Sequence, residues 1–214
     1  SVSDLCRSLA PGPMTCLIEP LCVSALNTPP ERACGQVFLR VMRDALFAQS
    51  GGSNLLLPRT DLSALLPDAA LAWLGKHGGV QRLGVRVQSL SPAGTQWTVD
   101  GEIFDRVLLA CPPAEAARLV QGSGVAADAW RAQARSLTHE ALTTVYAYGA
   151  SASRAQPMLA LHASADEPAQ FVFDRAQFGG PADLLAFVIS ASTGDSATLT
   201  RQVLAQAARQ LGLK

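Results

Sequence analysis

The period of the apolar residues changes near residue 80, and this change constrains the fold more than any other feature. Before it, apolar side chains recur at helical spacing, and residues 28–31 predict a helix start with Thr28 as the N-cap. Residues 80–90 instead alternate, with Leu83, Val85 and Val87 on one face, which predicts a strand. The sequence therefore predicts a mixed α+β fold with a helical N-terminal part.

A β-hairpin is predicted directly after this change. Residues 91–99 predict a turn and a returning strand, and Asp100-Gly101 predicts a second turn. The continuous apolar run at residues 107–110 is typical of a strand buried on both faces. Pro112 ends that run, because proline cannot continue a central strand.

The last hundred residues alternate between helical and strand patterns. Helices are predicted at residues 114–120 and 128–137, and strands at 142–148, 171–173 and 184–189. A final amphipathic helix begins after Gly194-Asp195, with Leu199, Val203 and Ala207 on one stripe. These elements predict a mixed sheet with flanking helices.

The composition excludes several classes of protein. Hydrophobic residues make up 49% of the 214 residues and charged residues 16%, so the chain can bury a core and is not disordered. The 17 Lys and Arg balance the 17 Asp and Glu, which leaves no basic surface for nucleic acid. The apolar runs are too short to span a membrane. We expect a cytoplasmic protein, for which peripheral contact with the inner membrane stays open.

The cysteines and histidines show no disulfide or metal-binding pattern. The chain has 5 cysteines, an odd number, and none has Cys-x-x-Cys spacing. The 3 histidines lie far apart and form no His-Glu-x-x-His motif. We predict free thiols in a reducing compartment and no metal site.

One glycine motif imitates a dinucleotide-binding loop. Gly122-x-Gly124-x-x-Ala127 would need a buried strand before it, so that the following helix points its N-terminus at a pyrophosphate. Residues 114–120 favour a helix instead, so we interpret the glycines as a loop that ends this helix. No nucleophile motif or triad spacing is present, and the sequence assigns no catalytic residue.

Residues 79–113 resemble the returning segment of flavin-containing amine oxidases and phytoene desaturases. In that superfamily a Gly-Gly pair leads into a strand whose valine contacts the adenine end of FAD through its backbone. A hairpin follows, and then a strand that passes the cofactor. The resemblance implies FAD as the cofactor, and it implies four cofactor-binding residues: Val87, Ala110, Cys111 and Pro112.

Residues 19–31 and 55–62 resemble a narrower family, the squalene-associated FAD-dependent desaturases or hydroxysqualene dehydroxylases of squalene and hopanoid biosynthesis. Ile18 departs from that family, in which we expect Trp. The resemblance implies an oxidoreductase that converts hydroxysqualene to squalene, and a long apolar isoprenoid as its ligand. It also implies four residues of the substrate pocket: Pro20, Leu21, Asn27 and Pro58.

The resemblance further implies a division of roles along the chain. Residues 1–78 and 116–214 would form the helical part and the sheet-and-helix part of a substrate-binding lobe, and residues 79–115 a segment of the FAD-binding domain. The 214 residues lack the glycine-rich pyrophosphate loop of the family, so we expect an internal fragment. By itself it should fold, bind no FAD, lack activity and pair with a second copy through the exposed hairpin edge.

Two alternatives stay open. In the first, the parent protein is another flavoenzyme of the superfamily, of the phytoene desaturase or protoporphyrinogen oxidase type. In the second, the chain is a non-enzymatic lipid-binding module.

Two arginines are predicted to be structural rather than catalytic. Arg59 and Arg175 each follow a short apolar segment, where a guanidinium can stabilise a turn by hydrogen bonding.

Overall fold

The computed structural model of the chain describes residues 1–149 and 155–213. It contains helices and two antiparallel sheets, which confirms the predicted α+β class. Its contacts define two compact units: Ser1–Trp73 together with Glu140–Lys214, and Leu74–His139. The chain therefore leaves the first unit once and later returns to it. The roles predicted for residues 1–78, 79–115 and 116–214 stay predictions.

The regular elements within the first 76 residues are all helical, as predicted. Their elements are α1 (Val2–Leu5), α2 (Pro11–Pro13), a π-helical segment (Met14–Ile18), α3 (Glu19–Leu26), α4 (Gly35–Met42), a second π-helical segment (Arg43–Phe47), α5 (Leu62–Leu65) and α6 (Pro67–Lys76). Four buried side chains form their core: Val2, Cys22, Ala33 and Phe38.

The predicted helix start at Thr28 is wrong. The Thr28 hydroxyl donates to the Leu26 carbonyl at 2.8 Å, and the next helix begins only at Gly35, after Cys34. Between them lies one turn, in which the Ala33 amide donates to the Pro29 carbonyl at 2.9 Å. The reason is steric, since Pro30 disfavours the helical region for the residue before it.

The second unit carries the smaller sheet. Its strands are β1 (Leu90–Ala93), β2 (Gln96–Val99) and β3 (Glu102–Phe104), in that order, and its helices are α7 (Pro113–Gly122) and α8 (Asp128–Ser136). Asp100 (φ 48°) and Gly101 (φ 88°) join β2 to β3 as a two-residue loop. Two left-handed residues are what a tight hairpin loop requires, so the predicted second turn is confirmed.

Two strands predicted for this unit are wrong in extent. Residues 80–89 lie outside the sheet, and β1 begins only at Leu90. Residues 107–110 are also unpaired, and Leu108 is 91% exposed where burial on both faces was expected. Apolar alternation produces a strand only where a neighbouring strand completes the hydrogen bonds, and none of the described strands pairs with these segments.

The larger sheet belongs to the first unit. It contains β4 (Leu142–Tyr148), β5 (Met158–Ala160), β6 (Phe171–Asp174) and β7 (Leu184–Ser190), in the order β4-β7-β6-β5. All three pairings are antiparallel, where a mixed sheet was predicted. The links from β5 to β6 and from β6 to β7 are shorter than the crossover of about a dozen residues that parallel neighbours need. The last helix, α9 (Ser196–Leu211), buries Leu199, Val203 and Ala207 against the sheet residues Val145 and Phe187, which confirms the predicted stripe.

Candidate functional site

A groove of about 540 Å³ in the second unit contains three of the four predicted cofactor residues. Val87, Ala110 and Cys111 all line it, although Val87 precedes the other two by more than twenty positions. Pro112 is the next residue in the chain and the N-cap residue of α7. The remaining lining is mostly apolar and includes Leu90, Val99, Val107, Leu109 and Leu119. We call this feature the hairpin groove.

The Val87 side of the hairpin groove is held by the turn between β2 and β3. The Asp100 carboxylate accepts hydrogen bonds from the Gln88 amide at 3.0 Å, the Ser89 amide at 2.7 Å and the Ser89 hydroxyl at 3.1 Å. These bonds favour the charged carboxylate, above all the one from the Ser89 amide, and so they lower the pKa of Asp100. A turn residue therefore fixes a segment that has no strand partner.

Helix α7 holds the same segment from another direction. The Arg118 guanidinium donates to the carbonyl oxygens of Val87 at 2.8 Å and Gln88 at 3.1 Å. The Glu115 carboxylate, one turn earlier, accepts from Arg118 Nε at 2.9 Å and from Arg86 at 2.6 Å. The hydrogen bond from Arg118 is the main reason why the pKa of Glu115 is lowered.

The hairpin groove combines an apolar floor with a few polar and charged groups. Its floor is aliphatic, and among the described residues none accepts a hydrogen bond from the Val87 amide. Arg86, Glu115 and Arg118 add charged groups to the lining. An apolar surface combined with a few placed polar groups is the usual composition of a small-molecule site.

A second groove, of about 270 Å³, lies within the first unit. Thr15 to Val23 supply one side of it and residues 160–163 the other, so we call it the helix groove. Pro20 is the one predicted substrate residue among its lining residues. Glu19 and His162 also line it, and they give it a carboxylate and an imidazole beside aliphatic groups.

The other three predicted substrate residues lie elsewhere in the first unit. Leu21 packs against the helical core, and Pro58 is half-buried between the second π-helical segment and α5. Asn27 ends α3 in the left-handed conformation (φ 47°). Its side chain donates to the Glu140 carbonyl at 3.0 Å and accepts from the Ala191 amide at 2.7 Å. These hydrogen bonds join the end of α3 to distant segments of the same chain. The substrate role of all four residues stays a prediction.

The structural role predicted for Arg59 and Arg175 stays a prediction, and the structure describes the surroundings of both residues. A Cβ added to Gly179 would lie 2.9 Å from the Arg59 carbonyl oxygen, so the backbone at Arg59 packs closely against this turn. The guanidinium of Arg175 lies 5.9 Å from the centre of the Phe178 ring, within the range of a cation–π contact.

The remaining candidate features are the cysteines, the glycine motif and the apolar helices. All five cysteines are free thiols, and within residues 1–149 and 155–213 no group of three potential ligands could hold a metal ion. Gly124 (φ 74°) follows α7, so the glycine motif ends a helix, as interpreted from the sequence. No helix in the described part of the chain is long and apolar enough to cross a membrane.

Sequence reasoning missed Arg118, Glu115 and Asp100 as residues that form the hairpin groove. Arg118 and Glu115 are three positions apart in a predicted helix, and this spacing suggests an ion pair. It does not indicate which backbone carbonyls Arg118 contacts. The carbonyls that Arg118 contacts lie 30 and 31 residues earlier. No local pattern could have indicated that contact.

Two curated proteins are similar to the chain. It is 33% identical over 115 residues to the hydroxysqualene dehydroxylase of Rhodopseudomonas palustris, and 30% identical over 114 residues to that of Sinorhizobium fredii. The chain is related to hydroxysqualene dehydroxylases. This finding confirms the resemblance seen in the sequence.

The relationship covers part of each protein. Each match covers 50% of this chain, and 28% and 27% of the two dehydroxylases, respectively. No family model and no solved structure matches the chain.

Proposed function

We propose that the chain is part of an FAD-dependent oxidoreductase of squalene metabolism that converts hydroxysqualene to squalene. The observation that carries the proposal is its relationship to two proteins named hydroxysqualene dehydroxylase. The hairpin groove also supports it, because the residues that the resemblance implies for the cofactor, Val87, Ala110 and Cys111, line one cavity.

The residues of the hairpin groove fit the adenosine end of FAD. An adenine ring is flat and apolar on its faces, which matches the aliphatic floor, and its ring nitrogens can accept a hydrogen bond from the Val87 amide. The glycine motif after α7 has the wrong context for the pyrophosphate. Reduced FAD, when bound, supplies a hydride. The residues of this chain then bind and orient that cofactor.

The helix groove is the proposed contact for the polar end of the isoprenoid. Pro20, Val23 and Leu161 offer aliphatic surface to a hydrocarbon, while Glu19 and His162 can hydrogen-bond a hydroxyl group. Water exclusion and orientation are the contributions that such a site makes to a reaction at an allylic carbon.

The test is turnover by the full-length protein. Purified protein with FAD and a reductant is incubated with hydroxysqualene, and squalene is quantified by gas chromatography with mass spectrometry. We expect squalene to form in a manner that depends on enzyme, reductant and FAD. No conversion of hydroxysqualene, together with desaturation of phytoene or oxidation of a porphyrinogen, would assign the protein to another branch of the flavoenzymes. Isoprenoid binding without any turnover would indicate the lipid-binding module.

A further inference from the structure

We propose that Arg118 is a positioning residue for the adenine end of the cofactor, acting through the backbone of Val87 and Gln88. The inference rests on the function proposed above and deepens it, because it names the side chain that holds the backbone of Val87 and Gln88 in place at the hairpin groove. Arg118 itself is half-buried at the margin of the hairpin groove.

The first step of the argument concerns the backbone of residues 87–89. This segment has no strand partner in the described part of the chain, yet it lines a cavity whose shape depends on it. Its backbone groups are bonded by side chains, although only Val87 of the three residues is half-buried. Asp100 accepts from the amides of Gln88 and Ser89, and Arg118 donates to the carbonyls of Val87 and Gln88.

The second step concerns the choice of arginine. The planar guanidinium presents several donors in a fixed arrangement, so Nη1 and Nη2 can serve two successive carbonyls while Nε is held by Glu115. Lysine has one flexible ammonium group and cannot hold both carbonyls and the carboxylate in one plane. The contact is therefore specific to arginine.

The third step concerns what stays available for a ligand. Arg118 donates to the Val87 carbonyl, whereas the Val87 amide donates no hydrogen bond to any of the described residues. A carbonyl oxygen has two lone pairs, so the Val87 carbonyl can also accept one more hydrogen bond. A fixed donor and a fixed acceptor on one residue suit the edge of an aminopurine. The backbone of Val87 should therefore favour FAD over flavins that lack the adenine ring.

The test compares two flavins with the full-length apoprotein. Dissociation constants for FAD and for FMN, which lacks the adenosine half, are measured by flavin fluorescence for the wild type, Arg118→Met and Arg118→Lys. We expect Arg118→Met to weaken FAD binding about tenfold or more and to leave FMN binding unchanged, because charge-assisted hydrogen bonds of this kind are lost. Arg118→Lys should recover part of the affinity.

Arg82→Met is the matched control. Arg82 belongs to the same unit and forms an ion pair with Glu102 at 2.5 Å, but it does not line the hairpin groove. This variant should bind FAD like the wild type, because it leaves the contacts of Arg118 with Val87 and Gln88 intact.

A second variant keeps the proposal falsifiable if Arg118→Met does not fold. Asp100→Asn retains a side chain that tolerates the left-handed backbone but removes the negative charge, and it should weaken FAD binding more than FMN binding. Equal losses for both flavins, or an unchanged FAD affinity in Arg118→Met, overturn the positioning role alone. A wild-type protein that binds neither flavin overturns the proposed function, and the positioning role with it.

Discussion

At the scale of single residues, the most consequential side chain outside the hairpin groove is Asn27. Its amide joins the end of α3 to Glu140 and Ala191, which lie 113 and 164 residues later in the chain. Its own backbone is left-handed, a conformation that asparagine tolerates better than most residues. The family resemblance implies a substrate role for Asn27, which stays a prediction, and no local sequence pattern could have indicated its long-range backbone partners.

Replacing Asn27 tests this role. Asn27→Ala removes both hydrogen bonds and strains the left-handed backbone, so it should lower the free energy of unfolding by about 2–4 kcal/mol. Asn27→Gly relieves the strain alone and should recover about 1 kcal/mol of that loss. Urea unfolding followed by circular dichroism measures both variants. Alanine and glycine variants of equal stability would argue against the strain component.

The pH dependence of the hairpin groove belongs to Asp100. Its pKa lies below the ordinary value of 3.8 because the amides of Ser89 and Gln88 bond to the charged form. A lowered folded-state pKa means that its contribution to stability is present above pH 3.8 and is lost as the pH falls through the folded-state value. We expect the amide NMR signals of Ser89 and Gln88 to titrate together at that lower pH. In Asp100→Asn this shared titration should disappear.

At the scale of elements, helices were predicted more securely than strands. Helices α7, α8 and α9 were predicted within a few residues, since their periodicity lies inside the segments themselves. Strands β4 and β7 were predicted equally well, because each pairs with the other along its whole length. Residues 80–89 carry an equally clear alternation but have no neighbouring strand among those described. Pairing is a property of two distant segments, so the pattern of one could not decide it.

The packing of α9 provides a test at this scale. Leu199 is 5% exposed and belongs to the core of the larger sheet, whereas Leu204 of the same helix is 50% exposed. Leu199→Ala should reduce the free energy of unfolding by about 2–5 kcal/mol, because it removes buried methyl groups and leaves a cavity. Leu204→Ala should change it by less than about 0.5 kcal/mol. Similar losses in denaturant unfolding would contradict the assigned orientation of the helix.

At the scale of the whole molecule, the apolar surface of the second unit predicts self-association of residues 1–214. β1 and β3 are the two edges of the smaller sheet, and Ile103 on β3 is 62% exposed. Unprotected edges with apolar side chains favour pairing between copies. Sedimentation equilibrium should give a mass that rises with concentration.

Charge substitutions locate that contact. Ile103→Lys should shift the equilibrium toward monomer, because charged residues on edge strands oppose pairing. Leu204→Lys, on the exposed side of α9, should not shift it. A wild-type chain that stays monomeric at every concentration would contradict the prediction.

The discontinuity of the first unit affects how the chain matures on the ribosome. The second unit, Leu74–His139, is continuous and can fold as soon as it has emerged, but the helices before it wait for their partners in Glu140–Lys214. Synthesis of that last stretch takes about 4–15 s at the usual rates of elongation. Until Ala191 appears, the side-chain oxygen of Asn27 lacks its hydrogen-bond donor, and the end of α3 stays exposed to chaperones and proteases. Codon choice for residues 140–214 should therefore influence the yield of folded protein more than codon choice before residue 74.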